Sequence, residues 1–386
     1  MFSSRVPRIL QPNRITRAVR RARADGRGFI DLTATNPTTV GLDYSPAALA
    51  ALTDAQALKY EPEPFGLPSA RRAVACDFAR RGLNVDPDRI VLTASTSEAY
   101  SLLFKLLCAP SGDAVMVPVP SYPLFDHLTA LDGVATIPYR LDYHGRWTLA
   151  PDDVARVWAK NVRAVLAVSP NNPTGSTMAA AELAALSAMC AERGAALIVD
   201  EVFADYPLGP EPAVGERAAD CLTFRLGGLS KSAGLPQLKL GWIHVDGPTP
   251  IADEAMQRLE VICDAYLSVS TPVQIAAGAL IAAGAPIRAQ IQERVRANYH
   301  ALREAVARYP AIELLHADAG WSTVLRVPST KSEEDRVVDL LERDRVLVHP
   351  GFFFDFPHEA FIVLSLLPPV EIFADGIARV LERTYE

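Results

Sequence analysis

The run Gly228-Leu229-Ser230-Lys231-Ser232-Ala233-Gly234-Leu235-Pro236-Gln237-Leu238-Lys239-Leu240-Gly241-Trp242 follows an apolar stretch, Leu222 to Leu226, and leads into another, Lys239 to Val245. Two more apolar, β-rich runs lie upstream. Arg163 to Val168 opens onto Ser169-Pro170-Asn171-Asn172-Pro173-Thr174-Gly175, and Ala195 to Val199 opens onto Asp200-Glu201. A helical pattern, Ala179 to Arg193, separates those two runs. Continuous apolar runs with helical crossovers predict a mainly parallel sheet covered on both faces. Ligands of such sheets sit at the carboxyl ends of the strands. Ser169, Asp200 and Lys231 each fall at or near such an end.

The pattern extends outward from there. Strands are expected at Arg89–Thr93, Ala114–Pro118 and Val134–Pro138, with helices from about Glu98 to Leu107 and Leu124 to Leu131. From about Ala252 to Tyr309 the chain reads as helical. A smaller α+β unit follows, with strands near Ile312–Leu315, Ser322–Val327, Val346–His349 and Phe361–Leu366.

Composition narrows the function classes. The 386 residues are 49% hydrophobic and 22% charged, with a net charge of -7. That suits a globular enzyme with a large core and argues against a nucleic-acid binder, which shows a basic excess. The local cluster Arg14, Arg17, Arg20, Arg21, Arg23 and Arg27 reads as the wet face of a surface helix. The five cysteines (Cys76, Cys108, Cys190, Cys221, Cys263) lack metal-site spacing and read as reduced thiols in apolar surroundings, which implies a cytoplasmic protein. No H-E-x-x-H occurs among the seven histidines, so no metal site is expected. The first ten residues have no signal-peptide apolar region. The Ala-rich stretch Gln274 to Ala285 reads as a packed helix rather than a membrane span.

An asparagine, an aspartate and a lysine in this order can build a site for pyridoxal 5′-phosphate. The Lys231 amine would form a Schiff base with the cofactor aldehyde. Asp200 would pair with the pyridinium nitrogen and keep it protonated, and Asn172 would donate to the ring oxygen. Singly these motifs are common: NNPTG is turn-rich, and Asp-Glu at a strand end is a frequent helix start. The ordered set points further. Over nearly its whole length the chain resembles the class I/II aminotransferase family, fold-type-I pyridoxal-phosphate enzymes akin to aspartate aminotransferase.

That resemblance implies an α/β fold of type I: a large, mainly parallel-sheet domain sandwiched by helices (46–270) and a smaller α+β domain (1–45 with 271–386). The arginine-rich helix then leads into the family's first strand, Ile30-Asp31-Leu32-Thr33, which argues against a cleaved leader. Ser95, Thr96 and Ser97 begin a helix and would receive the cofactor phosphate, with Ser230 and Lys239 beside them. Lys239 stands where the family has arginine, so charge is kept and the fork is lost. Tyr122 would stack on the cofactor ring, worth about 1 kcal/mol. Tyr60 would reach the phosphate of a neighbouring subunit, which makes a homodimer obligatory.

Three departures from the family pattern bear on function. Gly228 stands where a phosphate-binding hydroxyl is common. Phe203 replaces a tyrosine that donates to the ring oxygen, so the Schiff-base pKa should rise unless Tyr206 substitutes. Val363 replaces the arginine that forks onto the substrate carboxylate. Arg14 and Asn36 are the candidate replacements on the substrate side, and Pro350-Gly351-Phe352-Phe353-Phe354 would wall the pocket with aromatics. The resemblance implies ping-pong transfer of an amino group from an amino acid or amine to a 2-oxo acid, with Lys231 as the proton-moving base. A lyase or oxidase outcome on the same scaffold remains open. A non-catalytic effector sensor is disfavoured by the acidic charge and the short segment before the large domain.

Overall fold

Fourteen strands carry the architecture of this computed structural model, which describes residues 2–8, 10–210 and 220–385. In chain order they are β1 (Ile30–Asp31), β2 (Ile90–Thr93), β3 (Ala114–Val119), β4 (Ala135–Tyr143), β5 (Trp147–Leu149), β6 (Val162–Val168) and β7 (Ala196–Asp200). Then come β8 (Thr223–Gly228), β9 (Gly241–Asp246), β10 (Glu313–Leu314), β11 (Ser322–Arg326), β12 (Val346–Leu347), β13 (His349–Pro350) and β14 (Phe361–Ser365). The helices are α1 (Arg14–Ala24), α2 (Pro68–Arg80), α3 (Thr96–Leu107), α4 (Leu124–Asp132), α5 (Pro151–Val157) and α6 (Ala180–Arg193), then α7 (Leu229–Ser232), α8 (Thr249–Asp264), α9 (Thr271–Val306), α10 (Glu333–Arg343) and α11 (Val370–Tyr385).

The large sheet has the order β2-β9-β8-β7-β6-β3-β4-β5. Its five inner strands, β8 to β4, run parallel. β9 is antiparallel to both β8 and β2, and β5 is antiparallel to β4. β2 therefore points the same way as the parallel strands. All residues of β7 and β8 are buried, the signature of strands covered on both faces. The sequence pattern missed β5 and α5, which are too short to show a period.

A four-stranded antiparallel sheet, β10-β11-β14-β13, forms in the C-terminal part. The expected single strand Val346–His349 is two: β12 pairs in parallel with β1, while β13 pairs with β14. α1 buries Ile15, Ala18 and Ala22 and packs on α10, with its arginines outward. By length and composition α9 alone among the described helices could cross a bilayer. It instead buries Val273, Ala277, Leu280, Ile287, Ile291 and Val295 in the largest hydrophobic core. Four cysteines are buried, but Cys76 is on the exposed face of α2, contrary to the expectation that all five sit in apolar surroundings.

Candidate active site

Topology brings the distant motifs together. Asp200 is the last residue of β7, Asn172 follows β6 and Lys231 lies one turn past β8. These strands are neighbours in register, with Val168 beside Asp200 and Asp200 beside Leu226. Ser95, Thr96 and Ser97 follow β2 at the start of α3, and Tyr122 follows β3. Asn172, Asp200, Ser230, Lys231, Lys239, Tyr122 and the Ser95–Ser97 turn all line one cavity of about 570 Å³.

Asp200 is 7% exposed. Its carboxylate accepts hydrogen bonds from the Tyr100 hydroxyl (2.8 Å) and the Val202 amide (3.1 Å). Burial outweighs these and raises its pKa to about 6. The neighbouring Glu201 is neutralised separately by Arg225 and by Arg81, the latter at 3.5 Å. The Lys231 amine lies 5.0 Å from the Trp321 ring centroid and 5.7 Å from that of Phe203. Burial lowers its pKa to about 8, partly countered by Asp200. The result is an amine far more readily deprotonated than an ordinary lysine, and half neutral at about pH 8, next to a desolvated acid. Both are properties of a poised site.

The turn bearing the lysine is fixed from behind by α9. Arg288 donates to the Ser232 carbonyl at 2.8 Å. A Cβ built on Gly284 would come within 2.3 Å of the Ala233 side chain. Tyr206 is fully buried and donates to the Lys231 carbonyl. It does not line the cavity, so it cannot stand in for the donor lost at Phe203.

At the α3 end, Ser95 caps the helix by accepting from the Glu98 amide (3.2 Å), and Glu98 accepts from Ala94. The cap leaves the Thr96 and Ser97 amides without an intrahelical acceptor, and both residues line the cavity. A Cβ on Gly228 would meet Gly241 Cα and the Leu240 carbonyl at 3.1 Å. The β8–β9 seam thus leaves little room for the hydroxyl residue that resemblance suggested there. Lys239 adopts a left-handed conformation (φ 53°), rare for a non-glycine residue, and reaches the cavity from the turn just before β9.

Three predicted residues lie elsewhere. Arg14 is bound to Asp335 at 2.5 Å and Glu334 at 3.7 Å on the α1–α10 surface, away from the cavity. Asn36 accepts from Thr38 to cap a short 3₁₀ turn, and Thr33 and Thr35 reach the cavity from that loop instead. Tyr60 is 71% exposed and lines a separate cleft with Tyr266 and Gln274. Sequence reading missed Tyr100, Trp321, Ser322 and His349, which also line the site. None of them stands in a motif with a distinguishing spacing.

Of the phenylalanine run, Phe353 and Phe354 line the cavity, whereas Phe356 packs behind them in the same small core without reaching it and Phe352 is partly exposed. Buried Glu333 pins this loop by accepting from the amides of Phe352 (2.8 Å) and Phe361 (2.7 Å). Glu333→Ala leaves both donors unpaired, and each orphan costs about 1–3 kcal/mol. A lower melting temperature and faster proteolysis near residues 352–361 are expected. An unchanged thermal midpoint would show that the clamp contributes nothing.

The sequence matches the family "Aminotransferase class I and II" over residues 27–368, and the chain belongs to that family. It is 24% identical over 370 residues to the glutamate-pyruvate aminotransferase AlaA of Haemophilus influenzae, covering 93% of this chain and 91% of that one. It is 23% identical over 397 residues to the alanine aminotransferase of Mycobacterium tuberculosis, covering 93% and 86%. Among solved structures, alanine aminotransferase from Pyrococcus furiosus superposes with a TM-score of 0.87 at 23% identity, over 99% of each chain. The Thermus thermophilus aspartate aminotransferase with maleate gives 0.82 at 22%, over 99% of each. The fold is that of type I, and the protein is a pyridoxal-phosphate-dependent aminotransferase. Amino transfer is accordingly favoured over the lyase and oxidase outcomes. The residues present fit the cofactor: a desolvated acid, an amine of lowered basicity and an open helix start share one cavity of adequate size.

Proposed function

We propose that this aminotransferase moves an amino group from an amino acid or amine to a 2-oxo acid, using Lys231, Asp200 and Asn172 as its central residues. The observation that carries the reading is the convergence of these three, from adjacent strand ends, on one cavity. Pyridoxal phosphate, when bound, supplies an aldehyde carbon conjugated to an electron-accepting ring. Asp200 would hold a proton on the ring nitrogen, the Coulombic partner that its own burial leaves it needing. Asn172 would donate to the ring oxygen. Tyr122 would cover one ring face. Thr96, Ser97, Ser230 and Lys239, with the amides after Ser95, would receive the phosphate.

Lys231 would first hold the cofactor and then, once displaced by the incoming amine, act as base at the substrate Cα. Its lowered pKa keeps a useful fraction of the free base near pH 8. Trp321 and Phe203 exclude water around that nitrogen. Phe203 offers no hydroxyl to the ring oxygen, which leaves Asn172 as the donor there.

The homodimer belongs to the proposal too, with Tyr60 reaching the partner's site. Its exposure, beside exposed Leu58 and Tyr266, supports an interface on this side. Tyr60→Phe should leave the dimer intact by sedimentation and weaken cofactor retention about tenfold, the loss of one hydrogen bond to a charged group. Unchanged cofactor affinity would count against Tyr60. The division into units 46–270 and 1–45 with 271–386, and the cytoplasmic location to which five free cysteines are suited, complete the reading. The deciding experiment is spectroscopic. The holoenzyme band should shift with an amino donor and return on addition of a 2-oxo acid. Ammonia release without return would indicate a lyase instead.

A further inference from the structure

The wall opposite the phosphate end is unlike a carboxylate-binding wall. β13 and β14 pair antiparallel with His349 directly across from Val363. Directly paired residues project to the same face, and both side chains line the cavity. Two residues along β14, Ser365 shares that face, and its cross-strand partner on β11 is Ser322. Both serines also line the cavity. The face therefore reads His349, Val363, Ser365, Ser322.

Hydrogen bonding separates these groups. The Ser365 hydroxyl is committed, donating to the Ala34 carbonyl and accepting from the Leu367 amide. Thr33, nearby, is committed to Asp31. Among the described residues, neither the His349 imidazole nor the Ser322 hydroxyl has a hydrogen-bond partner. His349 is held instead by ring contacts to Phe353 (5.9 Å) and Phe354 (5.7 Å). Burial in this aromatic setting lowers its pKa, with only a partial opposing effect from Asp31. No arginine is among the described residues that line the cavity. Of the two lysines that do, Lys231 is the central amine. Lys239 leads into β9, whose Gly241 pairs with Thr93 beside the α3 start. No permanent cation stands on the His349–Ser322 face.

Resting on the amino-transfer reading above, we propose that His349 and Ser322 form a neutral hydrogen-bonding subsite, and that one substrate of this enzyme bears an uncharged polar group there in place of a free carboxylate. A carboxamide, ester or alcohol next to the amine-bearing carbon fits that description. Such a group satisfies both idle side chains without requiring a buried counter-charge. A carboxylate at the same place would be desolvated among Val363, Phe353 and Phe354 with no fork to receive it. The aromatic wall further selects an apolar or aromatic side chain on that substrate.

The test uses holoenzyme and matched probes. Hydrocinnamide and hydrocinnamate have the same aromatic body but lack an amine, so they report binding without turnover. Calorimetric titration should show the amide binding at least about tenfold tighter than the acid, the discrimination expected when a charged group meets a site lacking its partner. The same order is expected in half-reaction rates for phenylalaninamide against phenylalanine. Val363→Arg should reverse the preference. His349→Phe and Ser322→Ala should each shrink it with the cofactor spectrum unchanged. Equal or tighter binding of the acid by the unaltered enzyme overturns the proposal, whatever the variants do. If no donor shifts the holoenzyme band although the amide still binds selectively, it is the amino-transfer reading that fails and not the subsite.

Discussion

Asp200→Asn will give an apoprotein more stable than the parent and an enzyme that is nearly inert. The first effect follows from linkage. The folded-state pKa of Asp200 is raised from the ordinary 3.8 to about 6, chiefly by burial. A raised carboxyl pKa means that the folded state prefers the protonated form. Its contribution to stability is therefore present below about pH 4 and is lost as the pH rises through about 6. Above that, the apoprotein carries a desolvated charge whose cost is on the order of 1–3 kcal/mol. Asparagine removes the charge, and its carbonyl can still accept from Val202. The stability gain over the parent should open between about pH 4 and 6 and then level off, as read by thermal melts of both apoproteins. A gap that closes with rising pH would show that the carboxylate is better paired than its surroundings indicate.

The second effect is on catalysis. The ring nitrogen of the cofactor loses its anionic partner, so the charge that favours a protonated ring is gone. Comparable losses of one aimed electrostatic group cost about 10²–10³ in turnover. A measured kcat within about threefold of the parent, well short of that range, would remove Asp200 from the site. Gaining stability while losing activity is the expected pattern where a group is kept for function at the expense of the fold.

The other large effect concerns Lys231. Lys231→Ala should reduce turnover by about 10²–10⁴-fold or more, since it removes both the anchoring amine and the base. After borohydride treatment of the cofactor-loaded parent, the peptide spanning 226–239 should carry the reduced vitamer, and the variant peptide should not. Label on another lysine, Lys239 included, would relocate the chemistry. The amine also sets a pH dependence. Its pKa falls from the ordinary 10.5 to about 8 because of burial. The neutral amine's contribution to apoprotein stability is thus present above about pH 10.5 and is lost as the pH falls through about 8. In the variant that loss disappears, so its stability relative to the parent should improve on going from pH 10 to pH 7.

Much of the cofactor end of the site was legible in the sequence because strand ends announce themselves. An apolar run that stops at a polar residue, as at Val199-Asp200, fixes both an element boundary and a position at the ligand-binding edge. Lys231 and Asn172 were readable for the same reason. The substrate end was not. Its face is assembled by cross-strand pairing between β11, β13 and β14, and register is invisible to local pattern. His349 therefore read as part of a single strand with Val346, although it pairs with β14 and lies opposite Val363. Arg14 failed for a related reason. A cation near the entrance is attractive in one dimension, but α10 supplies Asp335 and Glu334 within reach of it. Tyr100 stayed hidden because its role depends on α3 packing on β8 and β9 so that its hydroxyl reaches Asp200, a tertiary fact with no spacing rule.

The contact between Gly284 and Ala233 makes α9 a mounting rail for the reactive nitrogen. That helix is 36 residues long, and its far end carries the chain into the small sheet that bears Val363 and His349. Any side chain at position 284 would have to displace the turn that holds Lys231, since the space between them is smaller than one methyl group. One helix thus braces the lysine turn and packs on β10 of the small sheet, so the two ends of the cavity are joined through residues that line neither.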